Sequence, residues 1–384
     1  MKLEKLRSSP PPPGRNWSRA AEWHQEDGYR LAVTRHGYGN LSLELLAYGL
    51  QELNGRELHL VIPEQAVRAT RARAAFLDAT VHVHRTQASG FRDAEPQMDP
   101  TEARRYFRIL GGLTPPVTFD TSSWPSWLAD LACSLESRGV ERSQTTRSVV
   151  WRYRGRQVLA VRPASSGTLE LTAGADFTIA GSDRPAPIRR TVTAATTLPT
   201  SELNELRSTI NTAIHRRRSG QDPGHRERLL QATISSTPDL IGMEHVRREV
   251  PAWRPRLKPH RGRAFIDLLG RDIERTGHVI ELKIRPDPQL GIQALDYWAW
   301  ANARRTKLAE TIGADPDRPF HLDLVLGGQA AETPLHPAAA ATLQALVPEV
   351  NWRCHLISDW DTIEEPKRPL TLTAETVPPW NLPG

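Results

Sequence analysis

Cysteine is nearly absent. Cys133 and Cys354 are the only two among 384 residues, too few for a disulfide framework or a thiolate zinc site, and the expected compartment is the reducing cytoplasm. Long apolar runs are missing too: nothing approaches the roughly 18 consecutive apolar residues of a membrane span, so neither a membrane protein nor a membrane partner is expected. The stretch from Met1 to Gly14 carries basic residues and then four prolines where a signal peptide would place its apolar core, so secretion is not expected. Lysine is scarce, six residues (2, 5, 258, 283, 307 and 367) against 44 arginines. There is no Gly-rich phosphate loop, no Gly-x-Ser-x-Gly elbow and no internal repeat. Walker-type and dinucleotide-binding enzymes, α/β-hydrolases and solenoids are thereby set aside.

What is present is ordinary for a globular chain, 39% hydrophobic and 24% charged, and long enough for two domains. Charge is unevenly spread. Residues 151–300 hold 24 Lys and Arg against 16 Asp and Glu, whereas 301–384 hold 7 against 11. A localised positive field suits a polyanion such as nucleic acid, although a charged stretch is more often a solvated face. Residues 1–16 read as a disordered Pro-rich arm. Helical and alternating patterns over Leu41–Leu53, Leu58–Ile62, Gln65–Leu77 and Thr80–His84 predict an α/β domain, with 86–145 irregular. Ser148–Arg162 and Thr168–Thr172 read as antiparallel strands around an Arg154-Gly155 turn. A breaker cluster at Ser219–Gly224 sets the boundary near 195–223. The expected domains are therefore the arm, an N-terminal α/β or α+β domain over 17–195, a helix and linker over 196–223, a second domain over 224–360 and a tail over 361–384.

The second domain reads as helix (His225–Ile234), strands (His245–Val250, Ala264–Gly270, His278–Ile284), helix (Pro288–Ile312), strand (His321–Leu326), helix (Pro337–Leu346) and strand (Trp352–Ile357). That order, αβββαβ with an added αβ unit, predicts a mixed sheet flanked by helices. Because successive strand residues face opposite ways, Asp267 interrupts an apolar strand on the face of Phe265 and Leu269, and Glu281 and Lys283 share one face of the next strand. The polar stretch Arg271–Gly277 predicts a hairpin that brings the three side chains together. Two adjacent carboxylates repel unless a divalent cation bridges them, and Mg²⁺ is commonly held in this way. Such an ion, with an ammonium beside it, suits hydrolysis of a phosphodiester. The competing reading is a surface acid-x-base pair on a half-exposed strand. Against it stands a lysine where this chain would otherwise use arginine, followed by a helix with Gln289, Gln293 and Tyr297 at spacing of four.

Asp267, Glu281-Leu282-Lys283 and Gln293-Ala294-Leu295-Asp296-Tyr297 together resemble the PD-(D/E)XK nuclease superfamily, in the branch with a Gln-x-x-x-Tyr motif. Glu227, Arg248-Glu249, Phe265–Leu269 and Ile280–Lys283 resemble the pattern of the NucS-like endonuclease domain within it. The resemblance covers residues 225–360 and implies a restriction-endonuclease-like αβββαβ core with Mg²⁺ or Mn²⁺ as cofactor. It implies Asp267, Glu281 and the Leu282 carbonyl as metal ligands, and Lys283 as the group that positions the attacking water. Gln293 and Tyr297 would line the site, with Glu227 completing the acidic cluster unless Glu244 or Glu249 does so. Ile266 stands where the superfamily's name puts proline, and the Arg254–Arg263 segment is long for its hairpin. That segment carries Arg254, Arg256, Lys258, Arg261 and Arg263, and reads as a loop that contacts phosphate, with a solvated hairpin tip as its competitor.

The function expected is metal-dependent endonucleolytic hydrolysis of DNA, the N-terminal region selecting substrate or partner, and a homodimer is left open. The alternatives are a non-catalytic nucleic-acid-binding or regulatory protein on a retired nuclease fold, and a gated defence effector that cleaves RNA or DNA. Trp253, Trp298 and Trp300 are read as core rather than as base-stacking residues. His82 and His84 alternate on a strand but have no acid or cysteine at ligand spacing, so they are set aside as a half-exposed strand.

Overall fold

Leu58, Leu60 and Ile62 alternate along one strand and are fully buried, while Glu57 on its other face is exposed. The apolar row seats the first sheet. The computed structural model describes residues 21–26, 29–34, 42–51, 53, 57–87, 90–91, 93–113, 121–122, 124–144, 148–164, 167–174, 186–219, 226–255, 263–327, 335–358, 360 and 370–373. Within them, β1 (Ala21–Glu26) and β2 (Tyr29–Thr34) pair antiparallel, β3 (Glu57–Ile62) and β4 (Val81–Gln87) add on in parallel, and β5 (Gly90–Phe91) pairs antiparallel with β4. Parallel neighbours need crossovers, and α1 (Ser42–Gln51) and α2 (Glu64–Ala74) supply them. At Gly49 of α1 a Cβ would come within 2.7 Å of the Leu58 side chain, so a larger residue there would force Leu58 to move. Next comes α3 (Pro100–Ile109), with proline in its first turn and the Asp99 side chain accepting from the Glu102 amide at 2.8 Å. Its buried stripe is only Ala103 and Phe107, among arginines, and it lies in the stretch expected to be irregular.

From Thr114 onward that stretch belongs to a second unit, Thr114–Ser236. It holds α4 (Ser126–Glu136) and an antiparallel sheet of β6 (Glu141–Gln144), β7 (Val149–Tyr153), β8 (Arg156–Pro163), β9 (Leu169–Ala173) and β10 (Ile188–Val192). Two helices follow, α5 (Thr200–Arg218) and α6 (Arg226–Ser236). The expected turn is present, with Arg154 at φ 46° and Gly155 at φ 74°, the pair of positive angles that a tight two-residue hairpin requires. Trp151, Leu128, Leu159, Leu206 and Ile210 form its core.

The chain then returns to the first unit, which consists of Met1–Leu113 and Thr237–Gly384. Strands β11 (His245–Trp253), β12 (Arg263–Arg271) and β13 (Gly277–Lys283) follow one another antiparallel. After α7 (Leu290–Asn302) and α8 (Arg305–Ile312), β14 (His321–Gly327) joins β13 in parallel. Then α9 (Pro337–Gln344) leads to β15 (Trp352–Ile357), parallel to β14, and β16 (Leu370–Thr373) closes the six-stranded sheet antiparallel to β15. The mixed sheet is as expected; its last strand lies where a tail was expected.

Three further expectations are corrected. The helix over Pro288–Ile312 is two helices, broken where Arg304 leaves the helix to donate to the Phe107 carbonyl at 2.9 Å and stack on Trp300. The helix also starts at Leu290, with Asp287 accepting from the Gln289 amide at 2.8 Å just ahead of it. Above all, the chain does not divide near 195–223: the antiparallel unit is inserted between two halves of the other. One core joins those halves, with Leu45, Phe76 and Phe107 among the same buried cluster as Ile266, Trp298 and Trp300. Among the described residues no helix is long and apolar enough to cross a membrane.

Candidate metal and catalytic centre

Strand alternation and register build this site. The β12–β13 ladder runs from Arg271↔Gly277 to Leu268↔Ile280, so one step further the register sets Asp267 opposite Glu281, on one face. There the strands stop exchanging backbone hydrogen bonds, and the Asp267 carboxylate accepts from the Leu282 amide at 2.9 Å. Lys283 Nζ donates to Glu281 Oε1 at 3.1 Å and to the Leu282 carbonyl at 3.0 Å. The side chains of 267, 281 and 283 and the Leu282 backbone thus occupy one locus. Glu281 is 3% exposed, and its Oε2 has no hydrogen-bond partner among the described residues. A buried carboxylate oxygen left this way costs energy unless a cation or donor meets it.

The long helix supplies the roof. Tyr297 on α7 is buried, and burial, followed by the nearby Glu281 carboxylate, pushes its phenol up to about 12, with Asp267 adding to the effect. The Arg254 guanidinium lies 5.2 Å from the centre of the Tyr297 ring and 3.4 Å from Asp296. Burial works against that charge, but Asp296, Tyr297 and Glu281 outweigh it and raise the arginine above its ordinary value. Tyr297 and Arg254 therefore both sense the acids of the strands. Asp296, one residue before the tyrosine, is fully buried and serves the fold, because Arg73 of α2 grips it through Nε at 2.7 Å and Nη2 at 2.9 Å. The geometry is bidentate, and it ties the first sheet's crossover helix to the helix that covers the site.

Of the residues expected in the site, Asp267, Glu281, Leu282, Lys283 and Tyr297 come together. Gln293 stands one turn before Tyr297 and is half-buried. Gln289, the first member of the polar stripe, donates instead to Glu44 of α1 at 2.9 Å. Glu227 lies on α6 of the second unit, whereas the strand acids belong to the first. Within the first unit, the β11–β12 register runs through Arg248↔Leu268 and Val250↔Ile266, which sets Glu249 across from Asp267, at a positive φ of 48°. Such a backbone is uncommon for a residue other than glycine. Glu244 pairs with Arg271 at 3.0 Å. Arg254, expected on a phosphate-contacting loop, is mostly buried against Asp296 and Tyr297. Arg256, Lys258 and Arg261 lie outside the described residues, as does the side chain of Arg263. Trp298 and Trp300 are core residues, and Trp253 donates to the Gly112 carbonyl at 3.2 Å.

Sequence reading missed the Arg73–Asp296–Arg254 arrangement, because its members lie far apart along the chain. It also missed a cleft of about 1010 Å³ in the same unit, lined by Arg104, Arg108, Arg304, Arg305 and Lys307, with Glu349 as the acid among them. Burial, then the neighbouring Arg108, pushes the Arg304 guanidinium down to about 10. Comparison of the chain with protein-family models, curated proteins and solved structures finds no match.

Proposed function

We propose that this chain is a divalent-metal-dependent phosphodiesterase that cleaves nucleic acid, in the first place DNA, on a restriction-endonuclease-like core of the PD-(D/E)XK kind. The observation that carries the reading is the meeting of Asp267, Glu281 and Lys283 on adjacent strands, with one buried Glu281 oxygen lacking a hydrogen-bond partner among the described residues. The donor set fits a hard cation: two carboxylates and the Leu282 carbonyl are the oxygen ligands that Mg²⁺ and Mn²⁺ take. When bound, the ion would supply Lewis-acid stabilisation of the phosphate and a more acidic water.

The chain's own groups account for the rest. Asp267, held by the Leu282 amide, and Glu281, held by Lys283, are fixed before substrate arrives, so little reorganisation is needed. The Lys283 ammonium is a donor to the attacking water or to a phosphate oxygen. Tyr297 keeps its proton at neutral pH and remains a hydrogen-bond donor to the substrate backbone. Arg254 behind it keeps its charge. The positive balance of residues 151–300 and the arginine-lined cleft both favour a polyanionic substrate.

The test is cleavage of plasmid and oligonucleotide DNA with Mg²⁺ or Mn²⁺ by wild type and by Asp267→Ala, Glu281→Ala and Lys283→Ala. The expected result is metal-dependent cutting that falls by at least about 100-fold in each variant, the scale of losing a pre-organised charge-stabilising group. Equal cutting by all four proteins would refute the assignment. Tight, salt-sensitive DNA binding with no cutting on any substrate form would favour the retired-fold alternative.

A further inference from the structure

The His82-Val83-His84 pair looked isolated in sequence because its partners lie about two dozen residues upstream, on the neighbouring strand. Strands β3 and β4 are parallel, with His59 in register with His82 and Val61 with His84. Residues 57, 59, 82 and 84 therefore share the sheet face opposite the row of Leu58, Leu60 and Ile62. On that face His82 Nε2 lies 3.0 Å and His59 Nε2 3.6 Å from the same oxygen of Glu57, Oε2. One ligand atom from each of Glu57, His59 and His82 falls within 4.8 Å of the others. The His82 ring stacks on that of His59 with centroids 4.4 Å apart, and the His84 ring lies nearly parallel to it with its centroid 5.1 Å away.

From this geometry we infer that Glu57, His59 and His82 form a binding site for a divalent transition-metal ion, zinc in the first place. Two imidazoles and a carboxylate are a donor set for zinc and its neighbours rather than for Mg²⁺, which prefers oxygen alone. Three protein ligands leave a further position for water or another ligand. His84 supplies what a ligating histidine ordinarily needs, an outer partner for its second nitrogen: His59 Nδ1 and His84 Nε2 are 2.9 Å apart. With that bond donated by His59, its Nε2 lone pair faces Glu57 and His82. The site shares no residue with the Asp267 centre, so either can fail without the other.

The experiment uses the full chain, stripped with chelator, and measures zinc by elemental analysis after dialysis and Co²⁺ by its visible d–d absorption. The proteins are wild type, His82→Ala, Glu57→Gln and, as control, Asp267→Ala/Glu281→Ala. The expected result is one zinc or cobalt equivalent on wild type and on the control, with affinity at least about 10-fold weaker in His82→Ala and Glu57→Gln. Zinc should raise the melting temperature of wild type and control but not of those two variants. Glu57 is exposed and its amide replacement changes little but charge, so this variant carries the test if His82→Ala fails to fold. The inference is overturned if wild type takes up no zinc or cobalt, or if Glu57→Gln and His82→Ala bind as wild type does.

Discussion

Asp296 sits inside the Gln-x-x-x-Tyr motif, yet its carboxylate holds the fold together. With Arg73 at 2.7 Å and both side chains buried, removal of Asp296 leaves the Arg73 guanidinium buried without its carboxylate. Asp296→Ala is expected to lower stability by about 3–5 kcal/mol in denaturant unfolding, and replacing both partners by apolar residues of similar volume is expected to recover much of it. A second buried network centres on Asp323, which receives His278 at 2.5 Å, Arg353 at 2.7 Å and His355 at 3.2 Å. Burial alone would raise this carboxyl, but His278 first, then His355 and Arg353, hold it well below its ordinary value. A depressed carboxyl stabilises the fold above its unfolded value and loses that contribution as pH falls toward its folded one. Stability against pH should therefore drop through the acid range below about 4 in wild type and more shallowly in Asp323→Asn. The thiols differ as well: Cys133 is exposed, while burial, followed by Asp323, pushes the Cys354 thiol up to about 12. One thiol is expected to react with a maleimide in the native protein and two in denaturant. Of all these residues, Asp267, Glu281 and Lys283 were legible in the sequence because strand alternation alone orients them. Arg73, Asp323 and His59 were not, since each gains its meaning from a partner on another strand or helix.

The second strand–strand–helix run shows what periodicity can reach. Strands β12 and β13 have strong apolar alternation and a polar hairpin between them, and they pair as read. Strands β1, β10 and β16 lie at sheet edges, need only one apolar face, and gave no comparable pattern. The break after Asn302 was hidden because the residues on both sides of it are helix formers; Arg304 is drawn out by carbonyls of α3 and by the Trp300 ring. Helices α7 and α9 pack closely at Gly291, where a Cβ would stand 2.8 Å from the Thr342 Cβ and 3.2 Å from the Ala339 carbonyl. Gly291→Ala gains about 1 kcal/mol of helix propensity but meets side-chain and backbone atoms that must move. The expected outcome is a net loss of about 1–3 kcal/mol by thermal or chemical unfolding.

At the level of the whole molecule, the C-terminal half was the more legible part, but the expectation that it folds as a domain of its own was mistaken. Its helix α7 buries Trp298 against Phe76 of the N-terminal half, their rings 5.5 Å apart and edge to face, and Asp296 against Arg73. A fragment of residues 224–384 is therefore expected to show no cooperative thermal transition. A chain that joins residues 1–113 to 237–384 through a short flexible linker is expected to retain one, because the inserted unit has its own core. Under the proposed function, Asp267, Glu281 and the Leu282 carbonyl hold a divalent ion. The most direct measurement is anomalous X-ray scattering from crystals of the full chain grown with Mn²⁺. A manganese peak is expected within about 2.0–2.3 Å of a carboxylate oxygen from each of Asp267 and Glu281. Manganese bound elsewhere, with those carboxylates unliganded at saturating Mn²⁺, would contradict the claim.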